Sequence, residues 1–157
     1  MGGDSVHYLH FHSDCPDSSS LLLSRNDQEV LCISSARSLH DWTLVKEEGL
    51  RFENMVAVHL LKWVCWQQDV LGKDIELRYF RDIDKREVDF VVVEDGNPLF
   101  CVECKLKDDS ISKPMLYFLS KFPECKGWQI SLAGTKNVTT KEGIRIAPAE
   151  VFLGELE

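Results

Sequence analysis

Phe52, Val56, Leu60 and Trp63 recur at helical spacing, with Met55, His59 and Lys62 beside them. That period predicts a helix over residues 49–68, ended by Leu71-Gly72-Lys73-Asp74. The period then changes to two. Ile75, Leu77 and Tyr79 alternate with Glu76, Arg78 and Phe80, and two further apolar runs occupy residues 87–93 and 99–105. Between those runs lies Glu94-Asp95-Gly96-Asn97-Pro98, whose Asp-Gly and Asn tolerate positive φ and predict a hairpin turn. Ser112 is placed to cap a helix that has Pro114 in its first turn and runs to Phe122. Residues 128–133 read as another strand and 144–146 as a short one. Pro148 opens a last helix through Leu156. Before residue 49 the pattern is weaker: residues 6–11 alternate, 21–23 and 30–33 are short apolar runs fit for a hairpin, and 38–45 form one more extended piece.

The 157 residues, 44% apolar and 28% charged, suit one soluble domain with a core of its own. No apolar run reaches the roughly 20 residues a membrane span needs. Met1 to Asp14 lacks the apolar centre of a secretory signal, so a cytoplasmic protein is expected. The six cysteines, Cys15, Cys32, Cys65, Cys101, Cys104 and Cys125, lie scattered in apolar segments and read as reduced core residues. Eighteen Lys and Arg against 26 Asp and Glu give a net charge of −8. Phosphate contacts dominate nucleic-acid affinity, so DNA binding would need a local basic patch or a partner that supplies one. Residues lacking a Gly-x-x-x-x-Gly-Lys-Ser/Thr loop cannot by themselves form a P-loop ATPase.

The chemistry-bearing group is Glu53, Asp89 and Glu103-Cys104-Lys105. Residues two apart on a strand share a face, so Glu103 pairs with Lys105 and Glu87 with Asp89. Closing the Asp95–Asn97 turn sets Asp89 opposite Glu103 or within one residue of it. Two carboxylates that close repel and are desolvated unless a cation lies between them. Mg²⁺ or Mn²⁺ would take oxygen ligands from both. Lys105 could then orient a bound water or stabilise charge developing on a phosphate. Glu53 heads the core-facing stripe of the long helix and is expected to reach the same sheet face. The bland alternative is a salt-bridge ladder across a hairpin.

The order of these residues is similar to the PD-(D/E)XK nuclease superfamily: a helix with Glu, a strand with Asp, a turn, then a strand with Glu-x-Lys. The wording is closer to one branch. Asp41-Trp42-Thr43-Leu44-Val45, Gly49-Leu50-Arg51-Phe52-Glu53-Asn54, Arg78-Tyr79-Phe80-Arg81-Asp82, Arg86-Glu87-Val88-Asp89-Phe90 and Val102-Glu103-Cys104-Lys105 carry it. They resemble the C-terminal nuclease-like domain, of unknown function, found in a family of prokaryotic AAA-type ATPases. The resemblance covers residues 38–157 and leaves 1–37 as an unmatched extension. It implies an α/β, restriction-endonuclease-like fold with a central mixed sheet of about four strands flanked by helices. It also implies that Asp89 and Glu103 ligate Mg²⁺ or Mn²⁺, that Lys105 is the catalytic lysine, and that the Cys104 carbonyl and Glu53, directly or through water, complete the site. The reaction would be metal-assisted phosphodiester hydrolysis. Val88 stands where the motif has its proline. The ATPase and winged-helix portions have no match in residues 1–37, which reads as a stand-alone or truncated relative.

Other features yield less. Cys101-x-x-Cys104 imitates half a zinc ribbon, but positions three apart on a strand diverge. His7, His10, His12, Asp14 and Cys15 cluster in sequence without a second half. Arg78, Arg81, Lys85 and Arg86, with Lys105, Lys107 and Lys113, form either a basic rim for DNA or a solvated strand edge. His59 reads as a core or interface residue, and Trp63 and Trp66 as core or a homodimer contact. Two functions therefore stand: a metal-dependent nuclease acting on DNA, and an inactive nuclease-fold module that binds a protein such as an ATPase. The charge favours the second and the intact carboxylate–lysine set the first.

Overall fold

The computed structural model describes residues 20–24, 30–34 and 47–156. Expectations for the 6–11 strand, the histidine cluster and the 38–45 segment lie outside the described residues. The two short apolar runs do pair: β1 (Ser20–Ser24) and β2 (Val30–Ser34) form an antiparallel two-stranded ribbon with Leu22 opposite Cys32.

Helix α1 (Glu48–Leu71) is longer than its hydrophobic period suggested. Its 24 residues span about 36 Å. Phe52, Val56, Ala57, Leu60, Leu61 and Val64 form the buried stripe that the spacing foretold. Gly72 ends it in the left-handed region (φ 63), donating its N–H to the carbonyls of Gln67 and Gln68. That reversal sends the chain back along the helix as β3 (Ile75–Arg81), followed by β4 (Glu87–Glu94) and β5 (Asn97–Lys105). The β4–β5 turn forms as predicted, with Asp95 at φ 50, Gly96 at φ 76, and Glu94 paired with Asn97. Helix α2 (Lys113–Lys121) starts at Ser112, whose hydroxyl accepts the Met115 N–H. β6 (Lys126–Ser131), β7 (Val138–Thr139), β8 (Arg145–Pro148) and α3 (Ala149–Gly154) complete the chain.

The strands form one mixed sheet in the order β3-β4-β5-β6-β8-β7, antiparallel at both ends and parallel across β5, β6 and β8. The fold is α/β, with six strands rather than about four. β8 answers the short strand expected at 144–146, whereas β7, with two residues, is too short for any periodicity to announce. Among the described residues no helix is long and apolar enough to cross a membrane.

Helices cover both faces. α1 and α3 pack on one through Phe90, Val92, Phe100, Val102, Cys104 and Ile130, with Phe152 stacked near Phe100 (6.2 Å) and Trp128 (5.0 Å). Trp63 is half-buried against Phe100, whereas Trp66 stays half exposed. α2 packs on the other face through Met115 and Phe118 over Phe80, Val88, Val91 and Cys101. Cys101 and Cys104 thus face opposite layers, as strand alternation requires, and Cys65, Cys101, Cys104 and Cys125 are not in disulfides. His59 is exposed on α1, its Nδ1 2.8 Å from the Met55 carbonyl.

The hairpin between β4 and β5 sets the register of both site strands, and Gly96 is its left-handed residue. Gly96→Ala puts a Cβ on a backbone at φ 76 and should cost about 1 kcal/mol. Urea unfolding should show the midpoint falling with an unchanged m-value; an unaltered midpoint would mean that another feature fixes the register.

Candidate functional site

One end of the sheet gathers the residues singled out from the sequence. β4 enters there and β5 leaves. Arg78 pairs with Val91 and Phe80 with Val88, so Asp89 and Phe90 together oppose Tyr79 alone. This is a β-bulge in β4, and it breaks simple alternation. Val88 packs beneath α2 while Phe90, two residues on, packs beneath α1.

The bulge re-aims Asp89. Paired residues of β4 and β5 end at Phe90 with Val102. Beyond that point the Asp89 carboxylate takes the place of a main-chain acceptor, and its Oδ2 receives the Cys104 N–H at 2.8 Å. An extended residue directs its N–H and C=O to the same edge, so the Cys104 carbonyl faces the Asp89 side as well.

Glu103 and Lys105 share a face, as their spacing predicted, and it is the face that Cys101 gives to α2. The Lys105 Nζ donates to Glu103 Oε1 at 2.8 Å. Glu103 is 6% exposed, and its other oxygen, Oε2, is buried with no hydrogen-bond partner. Burial pushes the Glu103 pKa up, and the nearby Asp89 charge adds to this; Lys105 opposes both without reversing them. The Ser112 hydroxyl is close enough to favour the carboxylate slightly but makes no hydrogen bond to Oε2. For Lys105, burial works against the charge, yet Glu103, Asp89 and Asp109 outweigh it and hold the ammonium above its ordinary range. Lys105 is therefore a proton-bearing cation at neutral pH.

Gln129 is the residue that sequence reasoning missed. It lies beside Glu103 in the parallel β5–β6 register and is 2% exposed. Its Oε1 accepts the Ser112 N–H at 3.0 Å, and its Nε2 reaches the carbonyls of Asp109 (3.3 Å) and Ser110 (3.2 Å). Gln129 thereby pins the chain between β5 and α2 to the sheet, keeping Asp109 and the start of α2 against the pair. Asp108 ties the same connection to the chain after β6, accepting the N–H groups of Thr135 and Lys136. Gly134 fits this junction because a Cβ there would lie 2.2 Å from Ser131 Oγ.

Glu53 comes from α1 rather than from the two site strands. It is half-buried near the start of α1. Running antiparallel to β3, α1 brings it toward the same end of the sheet, but in the layer over Val102 and Cys104, opposite the face of Glu103 and Lys105. Among the described residues no three or more His, Cys, Asp or Glu side chains gather as a ready-made metal cage. What the arrangement offers is a carboxylate pair, one oxygen of it buried and unsatisfied, with an ammonium alongside.

The basic rim is largely neutralised from within. Arg78 pairs with Glu76 (2.6 Å), and Arg86 with Asp82 and Asp84 (2.6 Å each). Lys85 is exposed, and Arg81 is half-buried.

A raised pKa means that the folded chain holds the Glu103 proton more tightly than the unfolded chain does. The Glu103 contribution to stability is therefore fullest below the ordinary glutamate range and is lost as pH rises through the raised value. Glu103→Gln should stabilise the metal-free protein at pH 7, by about 1 kcal/mol, the scale of partial burial beside a like charge. The gain should shrink as pH falls through the raised value and be gone below the ordinary glutamate range. Thermal melts across pH would register this, and a destabilised variant at neutral pH would show instead that the Lys105 pair outweighs the burial.

A family model described as "Domain of unknown function (DUF4143)" matches residues 48–152. The matched stretch begins with α1 and ends within α3, so it holds the whole six-stranded sheet and every site residue described above. No curated protein and no solved structure matches the chain. The chain belongs to the family described as Domain of unknown function (DUF4143).

Proposed function

We propose that this end of the sheet is a divalent-cation site for phosphodiester hydrolysis of DNA, in a domain with the PD-(D/E)XK nuclease arrangement. The observation that carries this reading is the buried Oε2 of Glu103, which has no hydrogen bond, beside a second carboxylate, Asp89, that binds the N–H of the next residue, Cys104. Burying a carboxyl oxygen without a hydrogen bond costs free energy even when the other oxygen is paired with an ammonium, and such costs persist where they serve a function. The donor set fits a hard cation: carboxylate oxygens of Asp89 and Glu103, with the Cys104 carbonyl facing the same side. When bound, Mg²⁺ or Mn²⁺ would polarise a phosphate and lower the pKa of a coordinated water.

The chain's own groups have distinct tasks. Glu103 and Asp89 hold the cation. Lys105, kept protonated by its carboxylate neighbours, stabilises charge that develops on the phosphate. Glu53, from the opposite layer, contributes through water. Gln129 fixes the connection that closes one side of the site.

A second reading keeps the fold and binds a protein, an ATPase for instance, without catalysis. It draws support from the net charge of −8 and from the pairing of Arg78 and Arg86 with acids. Exposed Trp66, Val70 and Leu71 at the end of α1 would give such a partner apolar area.

Cation titration separates the two. Mg²⁺ or Mn²⁺ at about 100-fold its Kd should raise the melting temperature by roughly 5 °C, and Asp89→Ala should abolish the rise. On linear and circular DNA, Lys105→Ala should lower cleavage by roughly 10²–10³-fold. Cleavage that persists in Lys105→Ala would assign the activity to another protein, and a melting temperature indifferent to both cations would leave the binding module.

A further inference from the structure

Arg78 and Arg86 are held by acids, so positive charge for a partner at this end of the sheet has to come from elsewhere. Lys107, Lys113 and Lys136 are exposed, and none of them makes an ion pair with a described acid. They leave the chain at three points, yet hydrogen bonds gather those points. Lys105 beside Ser131 is the last pair of β5 and β6. Past it the Leu132 N–H donates to the Lys105 carbonyl and the Ala133 N–H to the Leu106 carbonyl, both at 3.0 Å, so the two connections run on side by side. Asp108 accepts the Lys136 N–H at 3.3 Å, which places Lys136 beside the residue that follows Lys107. Gln129, next to Glu103 in the sheet, accepts the Ser112 N–H at 3.0 Å and so fixes Lys113, one residue on.

The floor between these lysines is incomplete. Of the three buried side-chain oxygens that lack a hydrogen bond among the described residues, two lie on this face: Glu103 Oε2 and Ser131 Oγ. Orphaned polar atoms are a cost that a bound ligand can relieve.

Charge indicates which ligand. With Lys105, the three lysines set four positive charges against the carboxylates of Asp89, Glu103, Asp108 and Asp109. The balance is neutral. A divalent cation on Asp89 and Glu103 would leave an excess of two positive charges. The β3–β4 turn does not alter this, because its three cations are matched by Asp82, Asp84 and Glu87. Exposed ammonium groups on separate segments suit an extended polyanion, whose charges repeat along a chain; a small anion would need donors converging on one point. We propose that Lys107, Lys113 and Lys136 grip the phosphate backbone of DNA lying across the site, and that the grip engages only once a divalent cation has offset Asp89 and Glu103. The choice of DNA and of the cation rests on the nuclease reading. A local, conditional positive field also reconciles DNA binding with a chain of net charge −8.

Fluorescence anisotropy on the full chain, with a labelled duplex and its single strand, compares EDTA with Ca²⁺, used in place of Mg²⁺ to prevent cleavage. The wild type should bind the duplex roughly ten-fold more tightly in Ca²⁺. Each lysine changed to Gln should flatten the slope of log K against log salt by about 0.9 on the duplex and about 0.7 on the single strand. These variants should melt as the wild type does, because the side chains are exposed. Asp89→Asn combined with Glu103→Gln removes the same two negative charges and should gain, in EDTA, most of the affinity that Ca²⁺ gives the wild type. Slopes unchanged by the lysine substitutions overturn the proposal. So does wild-type affinity that is equal in EDTA and Ca²⁺, or no binding of either DNA form. Mg²⁺-dependent cleavage, assayed in parallel, separates the two ideas. Cation- and lysine-dependent binding without cleavage would refute hydrolysis and keep the grip; cleavage with slopes indifferent to the three lysines would do the reverse.

Discussion

Where β4 and β5 part, the Asp89 carboxylate receives a main-chain N–H that a sheet would ordinarily give to a carbonyl. The extra residue in β4 makes this possible: with Asp89 and Phe90 opposing Tyr79, the strand bends and the ladder to β5 stops. The bend keeps Asp89 beside Glu103 while freeing the strand ends from each other. Without it, Asp89 would be one more residue of a hairpin, and Glu103 would sit beside a closed ladder. The electrostatics follow from the same geometry. Glu103 is pushed toward protonation by burial and by Asp89, while Lys105 is pushed toward charge by both acids.

The remaining architecture supports that end of the sheet. Apolar layers on both faces, α1 with α3 on one and α2 on the other, hold the central strands in place. Gln129 carries the polar chain after β5 across the surface of β6, and Ser112 then starts α2 with its N–H already engaged. Parallel strands β5 and β6 both end here. Crevices outside the carboxyl ends of parallel strands are where open α/β sheets place ligands. The same end carries the β3–β4 turn, whose charges are spent on one another in holding its shape.

Much of this was legible in the residues, for local reasons. The α1 stripe follows from a 3.6-residue period, the hairpin from Asp95-Gly96, and the common face of Glu103 and Lys105 from strand alternation. Each depends only on neighbours in sequence. What could not be read depends on residues far apart. The bulge at Asp89–Phe90 is a mismatch between two strands and leaves no mark in either one. Gln129 looks like any polar residue in a strand until β6 is set beside β5. Arg78 and Arg86 could read as a basic rim or as a solvated strand edge because sequence reveals charge but not pairing. Glu53 lies in the second turn of α1, not the first, because the helix begins at Glu48, and which layer that helix occupies is decided by the sheet.

The central claim is that Asp89 and Glu103 share a cation. Crystals grown or soaked in Mn²⁺ and measured near the manganese absorption edge would locate the ion directly. An anomalous peak within coordination distance of both carboxylates, touching the otherwise unsatisfied Glu103 oxygen, is the expected result. Crystals of the folded protein with Mn²⁺ elsewhere, or with Lys105 alone occupying both oxygens of Glu103, would contradict the account.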